Sequence, residues 1–295
     1  MVIKNLNKSV EGGMMRFDLS HARHDTAHCL APGLFRSLKR GDRKKYKLEA
    51  IYEYGEDKSL EFFGFEPLDD LDMRVLQGII AMAGPRGVIL DLKKPKSEAG
   101  RQLSLFLEPR WDALEDNALV VKGSFYSLAK EIGYKDPGSG QTLKDIRESI
   151  ERLWKVSIIA RDGSKKRGFR MLSDYSSDEE EKRLFVALNP LIADAVLGER
   201  QYTKISLAEV RALKTSPARL MHQRLCGFIN HGKTHLTPVN INTLCDYIWF
   251  SEGSKSAIAQ RRTRVRKAIN ELISVGWIFN EVTKDQYKIT RPFIE

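Results

Sequence analysis

Apolar positions along the chain change period several times, from alternation to helical spacing and back, and each change marks an element. Residues 1–20 are mixed and Gly-containing and read as a loose arm. A basic segment, SHARHDTAHCLAPGLFRSLKRGDRKKYKL, follows it. Tyr46 to Tyr54 alternates around Leu48, Ile51 and Tyr52, and Leu60 to Phe65 follows after Gly55-Glu56-Asp57-Lys58, which predicts a hairpin. In DDLDMRVLQGIIAMAG the residues Leu71, Val75, Leu76, Ile79 and Ile80 recur at helical spacing behind an acidic start, and Gly84-Pro85 stops the helix.

A longer order then occurs twice. Ser124 opens a short helix with Leu128 and Ile132 inward, ended by Gly133, and a turn rich in Pro137, Gly138 and Gly140 follows. Gln141 to Trp154 carries Leu143, Ile146, Ile150, Leu153 and Trp154 on one face. Two strand-like runs, Val156–Ala160 and Arg183–Leu188, come next, with Asp162-Gly163 and a stretch of charge between them. Helix, helix–turn–helix, then β-hairpin is the order of a winged helix, here over roughly 68–190. From about 203 the order returns. A helix near Pro217 runs through Leu220, Leu225 and Phe228 and is broken by Gly227 and Asn230–Gly232. Asn240–Trp249 and Ser254–Val275 are the next helices, and Trp277–Ile289 closes as a hairpin across Thr283–Gln286. The expected fold is α+β: tandem winged-helix domains with an N-terminal β-hairpin and arm. The expected segments are 1–67 (arm and hairpin packed on the first domain), 68–200 and 201–295. Two copies mean tandem domains rather than a solenoid, which needs at least three repeats.

Charge narrows the function. Against 39 Asp+Glu stand 49 Lys+Arg, a net charge of +10 that favours polyanionic partners. Membrane is the weaker candidate, because the longest apolar stretches, such as Val75 to Ala83, fall far short of the ~18 residues a span needs. The N-terminus has no apolar signal core. Cys29, Cys226 and Cys245 are odd in number and widely spaced, which points to a reducing cytoplasm rather than a disulfide framework.

The most informative stretch is SKSAIAQRRTRVRKAINELISVGW. Between Lys255 and Lys267 it holds Lys255, Arg261, Arg262, Arg264, Arg266 and Lys267 and no acid. On a helical wheel Ile258, Val265, Ile269, Leu272 and Gly276 share one face. Arg262, Arg264, Arg266 and Lys267 fan around the rest, and Arg261 lies nearer the apolar edge. A basic front half and an apolar rear half suit a helix that enters the major groove and is anchored behind. The arginine fork matches guanine O6/N7 or two phosphate oxygens. A solvated surface face is the plainer reading of any charge run, but such faces usually mix signs for i,i+4 pairing. The corresponding helix of the first unit is less one-sided: Lys144, Arg147, Arg152 and Lys155 alternate with Asp145, Glu148 and Glu151. Its hairpin clusters Arg161, Lys165, Lys166, Arg167 and Arg170 around Gly163 and Gly168, which suits phosphate or minor-groove contact or simply a mobile charged loop. Lys39, Arg40, Arg43, Lys44, Lys45 and Lys47 form a third basic cluster, and the acidic run Asp178–Glu181 would repel DNA. The expected DNA-binding residues are therefore Lys255, Arg261, Arg262, Arg264, Arg266, Lys267, Lys144, Arg147, Lys165, Lys166 and Arg167.

Motifs for other chemistry are missing. Gly138-Ser139-Gly140 is followed by Gln141-Thr142, without the P-loop lysine. His231 and His235 bracket Gly232-Lys233-Thr234 and are not the His-hydrophobic-His pair of a nickase, and no paired acids suggest a nuclease or primase. No catalytic residue, metal or cofactor is expected. His21, His24, His28 and Cys29 could share one helical face as zinc ligands, yet no second ligand pair follows, and polar packing or phosphate contact is the better expectation.

Several segments carry a resemblance: SHARHDTAHCLAPGLFR, RVLQGIIAMAGP, GRQLSLFLEPRW, VVKGSFYSLAKEIG, IERLWKVSIIA, LFVALNPLIA, RLMHQRLCGFI and RVRKAINELISVGW. From about His21 to Pro292 the chain resembles the RepC-type replication initiators of IncQ-family broad-host-range plasmids. The resemblance implies binding to directly repeated iterons of an origin as double-stranded DNA. It also implies opening of an adjacent AT-rich region and recruitment of the plasmid's helicase and primase. Self-association is open. The rival expectation is a tandem winged-helix transcriptional regulator without origin activity, and an enzyme such as a nickase or primase is the rival of another class.

Overall fold

The computed structural model describes residues 19–84, 88–90, 118–178 and 183–294, with backbone alone for 88–90 and 118. Most of the N-terminal arm, Pro85, the segment GRQLSLFLEPRW and the acids at 179–181 lie outside the described residues. The chain opens with β1 (His21–Asp25), α1 (Thr26–Leu30) and α2 (Asp42–Lys45), then the hairpin β2 (Leu48–Glu53) and β3 (Lys58–Gly64). Next come α3 (Asp70–Ala83), β4 (Val88–Leu90), β5 (Ala118–Gly123), α4 (Phe125–Glu131) and α5 (Gly140–Trp154). Four strands follow, β6 (Ser157–Asp162), β7 (Lys165–Arg170), β8 (Leu172–Asp178) and β9 (Arg183–Leu188). The rest is α6 (Pro190–Leu197), β10 (Tyr202–Ser206), α7 (Leu207–Ala212), α8 (Ser216–Phe228), β11 (Val239–Asn240), α9 (Ile241–Asp246), α10 (Lys255–Ser274), β12 (Ile278–Thr283) and β13 (Gln286–Thr290). The strands form four small sheets, ordered β1-β10, β11-β13-β12, β2-β3-β6-β7 and β4-β5-β9-β8.

The helix around Val75 is the hub. Its first turn is closed by a reciprocal cap: Asp69 Oδ1 accepts from Leu71 N and Asp72 N, while Asp72 Oδ2 accepts from Asp69 N at 3.0 Å. Every residue from Asp72 to Ala81 is buried, as expected of a helix packed on all sides rather than on one stripe. Gly78 permits that packing, since a Cβ there would stand 2.4 Å from Ile132 Cγ2. Gln77 on this helix donates to Gln223 Oε1 on α8 at 2.6 Å, and Arg219 of α8 pairs with Asp70 at 3.0 Å. One buried apolar cluster runs from Ala22 to Ile289. Buried apolar contacts are therefore continuous between the two halves of the chain.

Strand pairing departs from the sequence expectation in two places. Val156–Ala160 was expected to pair with Arg183–Leu188, but β6 pairs with β7 and β3, while β9 pairs with β5 and β8. Gly163, at φ +57°, allows a tight β6–β7 turn, so β6 finds its partner within a few residues. The N-terminal segment also reaches both halves. Its hairpin extends the β6–β7 sheet, whereas β1 pairs with β10 in the second half. The residues His21 to Cys29 form a strand and a separate short helix, so they do not share one helical face.

Candidate nucleic-acid interface

The long basic helix is held from behind. Ser254 caps it by accepting from Ala257 N, and Val265, Ala268, Ile269 and Leu272 bury its rear face against α8 and α9. Glu271, the only acid of the helix, accepts from Lys214 N at 2.7 Å and Thr215 N at 3.1 Å, tying it to the start of α8. Behind the helix, Glu209 Oε2 accepts from Trp277 Nε1 and contacts His222 Nε2, both at 2.8 Å. Burial pushes the His222 pKa down, but Cys226 and Glu209 raise it more, to about 10. Ile258 and Gly276 fall outside the buried face expected for them: Ile258 is exposed and Gly276 lies beyond the last turn.

The six cations of this helix divide by what they touch. Arg261 donates to Ser251 O at 2.7 Å and Ser251 Oγ at 3.0 Å, and its guanidinium faces the Trp249 ring. Arg262 Nε donates to Asn242 Oδ1 at 2.8 Å. Arg266 pairs with Asp285 at 2.6 Å, and this hydrogen bond raises its pKa further. Asp285 sits at φ +61° in the β12–β13 turn, so the pair joins the helix to its hairpin. Lys255, Arg264 and Lys267 are exposed and have no side-chain partner among the described residues. Their full charge is available to an incoming anion. Below them, burial and Asp246 push the Cys245 thiol up to about 11, so it stays protonated beside three arginines.

The first unit uses its cations differently. Asp72, fully buried, accepts from Ser149 Oγ at 2.7 Å, Arg152 Nε at 2.9 Å and Arg43 Nη2 at 3.2 Å. Arg43 also reaches Asp69 and Pro67 O, so one member of the third basic cluster is structural. Arg147 lies over the Phe125 ring at 5.0 Å, and Lys144 and Lys155 make i,i+4 pairs with Glu148 and Glu151. The helix Gly140–Trp154 thus spends its charge mainly on folding. Lys165, Lys166 and Arg167 are exposed on β7, where they line a shallow groove with Tyr54, Ala160 and Arg161. Arg161 itself is paired with Glu61 of β3. His24 and His28 are buried and neutral, with burial pushing both to about 3. Among the described residues, no cluster of His, Cys, Asp or Glu could hold a metal ion, and no helix is long and apolar enough to cross a membrane.

A sequence profile of the replication protein C (RepC) family matches residues 16–293. The chain belongs to that family. It is a RepC-type replication initiator, and plasmid DNA replication is the process in which it acts. No curated protein sequence matches it. Two crystal structures of domains 2 and 3 of RctB are similar in fold, at TM-scores of 0.53 and 0.51 and 11% identity. They cover 90% of this chain, and 97% and 95% of their own. The likeness extends over both halves of the RepC-type chain.

Proposed function

We propose that this RepC-type initiator binds directly repeated iterons of a plasmid origin as double-stranded DNA, using two winged-helix units. One observation carries the reading. The helix Lys255–Ser274 has an acid-free exposed front and a buried rear, the geometry of a recognition helix that enters the major groove. Phosphate neutralisation supplies most of the binding energy, and Arg264 with Lys267 and Lys255 supplies the contacts that depend on sequence. Arg261, Arg262 and Arg266 orient the helix against its loop, against α9 and against the hairpin. Lys165, Lys166 and Arg167 follow the backbone from the first unit's hairpin.

Several protomers on adjacent repeats then bend and open a neighbouring AT-rich tract, which costs least at flexible steps and needs no catalytic residue. The plasmid's helicase and primase are the partners recruited to that opening. The IncQ-like resemblance supports this sequence of events, and three buried free cysteines agree with a reducing cytoplasm. Footprinting on the origin tests it. Protection of tandem repeats beside the AT-rich tract is the expected result. Protection of a single palindrome over a promoter would instead mark a transcriptional regulator.

A further inference from the structure

The helix Lys255–Ser274 carries most of its cations beside the middle of its exposed face, not on it. Val265, Ala268, Ile269 and Leu272 form the buried stripe. At about 3.6 residues per turn, the line opposite them runs through Ser256, Gln260, Thr263 and Lys267, spaced i, i+4, i+7 and i+11. All four are exposed. Arg264 borders this line on one side, and Lys255 and Arg266 border it on the other. Contacts outside the core fix the rotation of the helix: Arg261 holds Ser251, Arg262 holds Asn242 and Arg266 holds Asp285. The front of the first turns is therefore made of Ser256, Ala259, Gln260 and Thr263, all exposed, all neutral and mostly small.

A neutral, narrow centre between two basic borders has a physical use in the major groove. The groove is about 12 Å wide, and a helix with its side chains is ~10–12 Å across. Short central side chains let the helix sit deep, and cations at its borders then face the phosphates of either wall. Side chains on the central line are the ones aimed at base edges. Of these, Thr263 donates its hydroxyl to Ala259 O at 3.2 Å, and Ala259 has no polar side-chain atom. The amide of Gln260 has no partner among the described residues, and it sets a donor and an acceptor side by side. That pair matches N7 and the N6 amino group of adenine, one acceptor and one donor. Gln260 also lies one turn before Arg264 and on the line of Lys267, among the cations that have no partner.

We propose, on the recognition-helix reading above, that Gln260 is a specificity-determining residue and reads an adenine of the DNA site through its side-chain amide. A phosphate would gain little from this neutral group, whereas an adenine edge is bound by two hydrogen bonds at once. Asn270 is the other exposed amide of the helix. It stands ten residues further on, about 15 Å along the axis, beyond the N-terminal part that meets base edges.

Selection of bound duplexes from a pool with a randomised segment tests this, using the full chain and the variants Gln260→Ala, Gln260→Lys and Asn270→Ala. Both positions are exposed, and circular dichroism checks that each variant is folded. The parent is expected to enrich a site in which one A·T pair is preferred about tenfold or more over the other pairs. Gln260→Ala should erase the preference at that pair alone. Gln260→Lys should move it to guanine, whose O6 and N7 accept from lysine, while Asn270→Ala should select the parent's site. A glutamine that is merely solvated would leave the selected site unchanged in both Gln260 variants, and that result overturns the proposal. Loss of preference at a G·C pair instead of an A·T pair overturns it too. Enrichment of no site by the parent would sink the recognition-helix reading itself, a failure distinct from a parental site that ignores Gln260.

Discussion

The helices Gly140–Trp154 and Lys255–Ser274 hold the same place in the order of their units, yet they spend their charge in opposite directions. In the first, Arg152 turns inward to buried Asp72, Arg147 covers Phe125, and the lysines pair along the helix. In the second, the rear face is apolar, the front has no acid, and Arg264, Lys267 and Lys255 stand clear. What separates the two helices is not the number of cations. It is which of them already have a partner.

Five variants test that contrast. The largest effect is expected from Asp72→Ala, which leaves the mostly buried Arg152 only its 3.8 Å contact with the exposed Glu148. About 3–5 kcal/mol of stability should be lost, read as a shift in urea midpoint. A loss under about 1 kcal/mol would mean that the first helix is not held by its charge.

A pH effect on the second unit comes next. The folded-state pKa of His222 is raised from 6.5 to about 10 despite burial, through Cys226 and Glu209. A raised histidine contributes stability fully below its unfolded pKa and loses it as pH climbs through the folded one. Stability should therefore fall between about pH 6.5 and 10 in the parent protein, and His222→Gln should flatten that slope. Glu209, held low by His222 and Trp277 against the opposing pull of burial, adds the opposite limb. Its contribution is present above the usual glutamate range and fades as pH falls below it. An unchanged slope in the variant would remove the ion pair from the account.

On DNA, Arg264→Ala should cost about 1–3 kcal/mol if it reads a base, and equal losses on repeat and random duplex would reassign it to phosphate. Replacing Lys165, Lys166 and Arg167 together by Ala should lower the salt slope of binding by about 2–3, without changing sequence preference. The control with the smallest expected effect is Lys144→Ala. Its exposed pair with Glu148 is 3.9 Å long, so loss of this lysine should stay within about 0.5 kcal/mol.

Six of the ten described helices were legible in the sequence because capping and periodicity are local, whereas α1, α2, α6 and α7 were not anticipated. Ser124, Ser139 and Ser254 cap helices that begin within one residue of where the apolar pattern places them. The two hairpins at Gly55–Lys58 and Thr283–Gln286 follow from turn chemistry in the same way. Beyond those short helices, what was not legible is long-range. β1 escapes notice because its inward positions include His24 and Asp25, polar residues that bury beside β10. The helical wheel placed six cations on one helix, but the partners of Arg261, Arg262 and Arg266 lie in Ser251, Asn242 and Asp285, which no local period reveals.

The most direct test is a salt series of binding to a duplex carrying the origin's direct repeats and to a scrambled duplex. The parent protein and the combined Lys255→Ala, Arg264→Ala, Lys267→Ala variant would be compared. A preference of about a thousandfold for the repeats and a steep salt slope are expected in the parent, with the preference largely lost in the variant. Equal, weak, salt-sensitive binding to both duplexes, or a preference that survives the triple substitution, would contradict the assignment of Lys255–Ser274 as the reading helix.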